Sequence, residues 1–336
     1  MKNLIKHTAA ALSALALLLG AAAAQAQEYP ATVKIGATAP GSPKFIWHQH
    51  HGWLEEALKP HGVTVEWYPF VDGGGALVTA LGSGGIDVAY NAGSSPALRI
   101  GAIHPNVNLI AVDNYEPFGA PSVVVAADSP IKTIEDLKGK RIGFPQGTVR
   151  HTTLAKVLDS VGLSLKDVET LHMAFDTSGP ALVRGDIDAL VEGETTVAEL
   201  IDRGAARLLV DGNQHPEWSS PTVILTRTDY TERYPELIKT LLEVDLRISQ
   251  WADANKDEAL AVFAEQTKTN IGSLQRRYSH DVLYQDPIIT DKAIAVLKTE
   301  EVFLRDAGLI NGTVDYDRWV NDSTIKQVYS EAGLIN

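Results

Sequence analysis

The sequence predicts an α/β protein of two lobes, each a mainly parallel sheet flanked by helices, with a cleft between the lobes. Three observations carry this. Short apolar segments alternate with amphipathic ones in βαβα order. The rhythm breaks and restarts near residue 120. Gly, Ser, Thr, Asn and Asp gather where each strand gives way to its helix, the edge at which open α/β sheets hold ligands.

The elements follow in order. Residues 32–37 read as a strand, 47–58 as a helix stopped by Pro60-His61-Gly62, and 63–68 as a second strand. Gly73-Gly74-Gly75 opens a helix that ends near residue 81, and 86–90 is a third strand. A helix over 95–101 and a strand over 108–114 complete the first run. The second run has strands over 121–127, 141–144, 171–175, 189–192 and 207–210. Its helices cover 133–138, 151–161, 178–184 and 197–203. After a strand over 222–226 the chain reads as helical. Leu237, Leu241, Val244, Ile248 and Trp251 recur at spacings of 4, 3, 4 and 3, one apolar face of a long helix. Phe118-Gly119-Ala120-Pro121 and residues 218–221 are the candidate hinges. They divide the chain into a first lobe of 28–119 plus 216–336 and a second lobe of 120–215.

The first 26 residues read as an export signal. Lys2 and Lys6 give a positive start, 12–24 are apolar, and Ala24-Gln25-Ala26 offers small residues for cleavage after Ala26. The apolar core is short for a spanning anchor helix and no stop-transfer flank follows it. The chain has no cysteine, which excludes disulfides, thiolate metal sites, iron–sulfur clusters and cysteine nucleophiles. It also excludes a lipid anchor at a cleavage-site Cys, so the expected product is soluble and periplasmic. Without Lys2 and Lys6, 27 basic residues face 42 acidic ones, a net charge of −15. No basic run offsets this, which argues against nucleic acid as a partner.

The candidate ligand-binding residues lie in the strand-to-helix turns. They are Thr38, Ser42 and Pro43; Asp72, Gly73 and Gly74; Asn91, Ala92, Gly93 and Ser94; Gly147, Thr148, Arg150 and His151; and Asp176. These residue types also cap helices and form turns without any ligand. Arg150 is the sharpest of them, because a cation in the first turn of a helix opposes the helix dipole. Either an anion binds there or Arg150 pairs with a carboxylate across the cleft. Trp47, Tyr90, Tyr115 and Phe118 are candidates to pack an apolar ligand body. Glu192 and Glu194 end a strand and read as recognition groups for an amine or hydroxyl, since no acid or nucleophile stands beside them. His48, His50 and His51 have metal-like spacing without an obvious third ligand, so neither a metal nor a cofactor is expected. Gly82-Ser83-Gly84-Gly85 lacks the Gly-Lys-Ser/Thr ending of a phosphate loop and precedes its strand.

Several segments resemble the nitrate/sulfonate/taurine group of ABC-transporter periplasmic solute-binding proteins. They are Val33-Lys34-Ile35-Gly36, Gly84-Gly85-Ile86-Asp87-Val88-Ala89, the run from Ser129 to Arg141, Pro145-Gln146-Gly147-Thr148, Arg184-Gly185-Asp186-Ile187-Asp188-Ala189, and 303–319. They span almost the whole chain after the export signal. The resemblance implies a type II binding-protein fold, a non-enzymatic monomer closing by a hinge on a small organic anion such as a sulfonate, and delivery to a membrane permease. It also implies an anion held at the helix N-terminus matching Thr148. Two departures bear on the ligand: Gly193-Glu194-Thr195 replaces a common Trp-Asp-Pro, and Gly93 stands where some relatives carry an acid. Nitrate, an aromatic carboxylate or a pyrimidine remain alternative ligands. An enzyme on this fold and a sensor subunit remain alternative roles.

Overall fold

The computed structural model describes residues 29–38, 43–114, 120–278 and 287–335. Its strands form two separate five-stranded sheets. The first contains β1 (Thr32–Thr38), β2 (Thr64–Phe70), β3 (Val88–Gly93), β4 (Val107–Asn114) and β10 (Thr222–Arg227), in the order β2-β1-β3-β10-β4. The second contains β5 (Ser122–Ala126), β6 (Arg141–Phe144), β7 (Glu169–His172), β8 (Ala189–Glu192) and β9 (Ala206–Val210), in the order β7-β6-β8-β5-β9.

The two orders are one pattern used twice. In each, the fourth strand is the one on which the chain enters from the other sheet, and it runs antiparallel to both neighbours. The other four strands share a direction. The reason is geometric. Thr222 pairs with Gly93 and Asn114, and Ser122 with Glu192, so each crossing strand starts at the edge where its neighbours end.

Helices connect the strands. The first sheet carries α1 (Pro43–His51), α2 (Trp53–Leu58), α3 (Gly74–Gly82) and α4 (Ser94–Ile103). The second carries α5 (Val149–Asp159), α6 (Phe175–Arg184) and α7 (Glu194–Asp202). After β10 come α8 (Thr228–Arg233), α9 (Pro235–Ala254), α10 (Lys256–Thr267), α11 (Ile271–Arg277), α12 (Asp291–Asp306), α13 (Tyr316–Trp319) and α14 (Ser323–Glu331). Pro235 at the start of α9 suits a first helical turn, where its missing N–H has no partner to lose. The face bearing Leu237, Leu241, Val244 and Ile248 is buried against the first sheet's core. Trp251 stays half-buried at the edge, against Trp47 and Trp53.

The cores follow the sheets. One cluster joins Val33, Ile35, Leu77, Val88 and Leu109 to Ile224, Leu241 and Trp319. The second sheet is apolar on both faces: Val123 and Val125 pack with Phe144 and Leu154, while Val124 between them packs with Leu182 and Val197. Each fully buried side chain of this size contributes about 1.5–3 kcal/mol.

Local expectations are corrected in four places. The helix expected over 47–58 is two helices broken at Gly52, whose φ is 63°. The one expected over 133–138 is a single 3-10 turn, Glu135–Leu137. Asn91, Ala92 and Gly93 are strand rather than loop, because β10 pairs along them up to Gly93. The strand expected over 171–175 ends at His172, and α6 starts early enough to take Asp176 into its first turn.

Candidate functional site

The turns after β2 and β3 meet the turn after β6: Gly75 lies beside Gly147, and Gly93 beside Val149. The halves touch at Gly93, where any side chain would overlap Cγ1 of Val149 at the start of α5. A glycine is required because the neighbouring lobe fills the space, which explains the missing acid at this position. α4 and α5 thus meet close to their N-termini.

On the first sheet, Thr38 is half-buried at the end of β1 and Pro43 is buried at the start of α1. Ser42 and Tyr115 lie outside the described residues, as does Phe118. Asp72 is exposed, and Gly73 is the buried residue ahead of α3, followed by Gly74. Asn91 takes φ 50°, a left-handed conformation that asparagine tolerates, beside an irregularity in the β3–β10 register. Its amide donates to Asp113 Oδ2 at 3.0 Å. Ala92 is buried. The Ser94 hydroxyl donates to Glu300 Oε1 on α12 at 3.0 Å. That carboxylate also accepts from Ser220 at 2.7 Å and from Lys156 of α5 at 2.7 Å, and Lys156 reaches the Ser219 carbonyl at 3.1 Å. The Ser94 proton is therefore engaged in a link between α4, α5 and the crossing segment.

On the second sheet, Gly147 adopts φ 73° to turn the chain from β6 into α5. Thr148 caps α5: its Oγ1 accepts from the Arg150 N–H at 3.2 Å and donates to the Pro145 carbonyl at 2.7 Å. Arg150 Nε donates to Glu192 Oε2 at 2.6 Å. The side chains are 16% and 1% exposed. Glu192 also accepts from the Gly193 N–H at 3.1 Å and faces the Ser178 hydroxyl at 3.4 Å. Burial pushes its carboxyl above the usual range, and Arg150 pulls it part of the way back. Of the two readings of Arg150, the structure contains the carboxylate partner, and it belongs to Arg150's own sheet. His151 Nδ1 accepts from the Gly147 N–H at 3.3 Å. Burial, helped by Arg99, pushes its pKa down to about 4, so the ring is neutral at pH 7 with its proton on Nε2. Asp176 is exposed, where its charge complements the start of α6. The Glu194 side chain lies outside the described residues, and Glu192 is a buried partner of arginine rather than half of a carboxylate pair.

Two aromatic candidates are core residues. Trp47 is fully buried with its indole N–H on the Ala259 carbonyl at 2.9 Å. Tyr90 is fully buried with its hydroxyl 3.1 Å from His48 Nε2. His48 also reaches Asp245 at 3.4 Å, while His51 stacks on Trp53. Among the described residues no group of three His, Asp or Glu is placed to hold a metal.

Sequence reasoning missed three charged residues here. Lys44, in the first turn of α1, lies fully buried 3.2 Å from Asp113 and 3.1 Å from Asp245. Burial works against its charge, and the two aspartates outweigh burial to hold its pKa above the ordinary range. Glu300 and Arg99 were not singled out either. A cation in the first turn after an apolar run was a usable signal for Lys44, as it was for Arg150. Nothing local marks Glu300 or Arg99.

Two matched sheets with helix N-termini converging between them make the fold of the two-lobe periplasmic binding proteins. The alkanesulfonate-binding protein SsuA from Xanthomonas axonopodis pv. citri, in a structure bound to MOPS, matches with a TM-score of 0.77 at 22% identity, over 88% of this chain and 99% of that one. The chain belongs to the NMT1/THI5-like family, whose pattern matches residues 59–259. It is 30% identical over 220 residues to the taurine-binding periplasmic protein of Escherichia coli (strain K12), covering 65% of each chain. It is 26% identical over 303 residues to a putative aliphatic sulfonates-binding protein of Bacillus subtilis (strain 168), covering 89% of this chain and 88% of that one.

Proposed function

We propose that this protein is the periplasmic solute-binding subunit of an importer, capturing a small organic anion of the sulfonate class between its two lobes and carrying it to a membrane permease. The observation that carries the reading is Arg150, held in the first turn of α5 where that helix meets the opposite lobe, and partly open to solvent. The helix N-terminus and the guanidinium together favour an oxyanion, with charge-assisted hydrogen bonds. The protons of Ser94 and Thr148 are already given to Glu300 and Pro145, so in this reading the main donors are Arg150 and backbone N–H groups near Asn91 and Val149. In this reading Thr38, Asp72 to Gly74 and His151 border the same space. The lobes divide at 119/120 and 215/216, and hinge closure buries the ligand.

The relatives' names favour a sulfonate over nitrate, a carboxylate or a pyrimidine. They also favour a binding protein over an enzyme. Export with cleavage after Ala26 belongs to the same proposal. Its check is the N-terminal sequence of the protein released from the periplasm.

The deciding experiment is titration calorimetry with taurine, alkanesulfonates, nitrate and benzoate, followed by product analysis of each mixture. One sulfonate is expected to bind with a stoichiometry of one at the cleft and to be recovered unchanged. Tight binding of nitrate or benzoate alone would replace the ligand class. Turnover would replace the binding-protein reading with an enzymatic one.

A further inference from the structure

Arg99 lies on α4, and its guanidinium adjoins the turns at Gly75 and Gly147, but it differs from the other cations near the cleft. Lys44 and Arg150 each have buried carboxylate partners. Arg99 has no hydrogen bond or ion pair among the described residues, although it is half-buried. Burial pulls its pKa below the usual guanidinium range, and among the described residues no carboxylate counters it. The guanidinium nitrogens lie at the seam between the lobes. Side chains added at Gly147 and Gly75 would meet them at 3.1 and 3.3 Å. The seam is also where α3 and α5 begin, so two helix N-termini add to the positive field there. From this point a groove of about 240 Å3 runs outward between α3 and α4. Val78, Ile100 and Ile103 give it apolar walls, with Thr79 and His104 alongside, and Ile103 is 62% exposed.

A half-buried cation without a counter-ion is unfavourable in a closed seam, and an anion seated there removes the penalty. We propose that the α3–α4 groove is a second binding site, taking an oxyanion with a short apolar tail: the head sits on Arg99 at the lobe seam and the tail lies along Val78, Ile100 and Ile103. The groove leads away from Arg150, and its head position adjoins the cleft turn at Gly147. Because its head position touches both lobes, its occupant favours the closed arrangement.

The test is titration calorimetry with two probes, inorganic sulfate for the head alone and hexane-1-sulfonate for head plus tail, at constant ionic strength. Wild type is expected to bind hexane-1-sulfonate more tightly than sulfate. Arg99→Gln should weaken both by about tenfold or more at this site. Arg99→Lys should retain part of the binding, and Ile103→Ser should weaken only hexane-1-sulfonate. Arg150→Gln reports on the cleft and should leave this event intact, so a cleft that ignores sulfonates does not sink the groove. Unliganded melting curves confirm that each variant is folded. The proposal is overturned if folded Arg99→Gln binds both probes with wild-type affinity, if hexane-1-sulfonate binds no tighter than sulfate, or if Arg150→Gln abolishes all binding.

Discussion

Lys44 and Arg150 occupy equivalent places in the two lobes. β1 and β6 are the second strands of their sheets, α1 and α5 follow them, and each helix carries a cation at its second residue. Both cations oppose the helix dipole, and both are neutralised by buried carboxylates. The outcomes differ. Lys44 is 0% exposed between Asp113 and Asp245, with His48 and Tyr90 completing a network packed in the core. Burial pushes Asp245 up, but Lys44 and His48 outweigh it and hold the carboxylate below its usual range. Arg150 keeps an open edge, its side chain 16% exposed. The same local device serves architecture in one lobe and a candidate binding surface in the other, and the number of buried partners decides which.

The comparison breaks most sharply at Lys44. Lys44→Met strands two buried aspartates and should destabilise the fold by about 3–5 kcal/mol, seen as a lower denaturation midpoint with an unchanged slope. An unchanged midpoint would remove the architectural role. Glu192→Gln removes one buried charge facing Arg150 and should be milder, about 1–3 kcal/mol, because Arg150 can turn towards water. Arg150→Ala should weaken a bound sulfonate by about 1.5 kcal/mol or more, roughly tenfold, as read by calorimetry. Affinity that survives in Arg150→Ala but falls in folded Lys44 variants would invert the assignment.

The smallest effect concerns pH and His151, the neighbour of Arg150. Its folded pKa of about 4 lies below the ordinary 6.5. Folding therefore gains from this group above pH 6.5 and loses that gain as pH falls from 6.5 towards 4. With its ring partly open to solvent, the contribution is about 1–2 kcal/mol. His151→Gln should flatten the acid limb of the melting temperature by that amount, and an acid limb of wild-type steepness would assign the loss to other groups.

Much of the architecture was legible because strand and helix periods are local. The alternation over 32–114 and the stripe from Leu237 to Ile248 were readable without tertiary information. The strand through Asn91 to Gly93 was not, since small polar residues read as loop until β10 pairs with them. The site was legible as a set of turns but not as a set of roles. Thr148 and Ser94 carry hydroxyls suited to an anion, yet Pro145 and Glu300 take their protons. Gly93 reads as a missing acid, and its cause is Val149 on the other lobe.

The sequence by itself determined the two-lobe rhythm, the strand-to-helix turns and the cations at the helix starts, because each depends on residues within a few positions. Only the tertiary structure decided what those cations do. Arg150 finds Glu192 across 42 residues and Lys44 finds Asp245 across 201. Coulomb energy depends on distance in space and on burial, and neither is written in the spacing of residues along the chain.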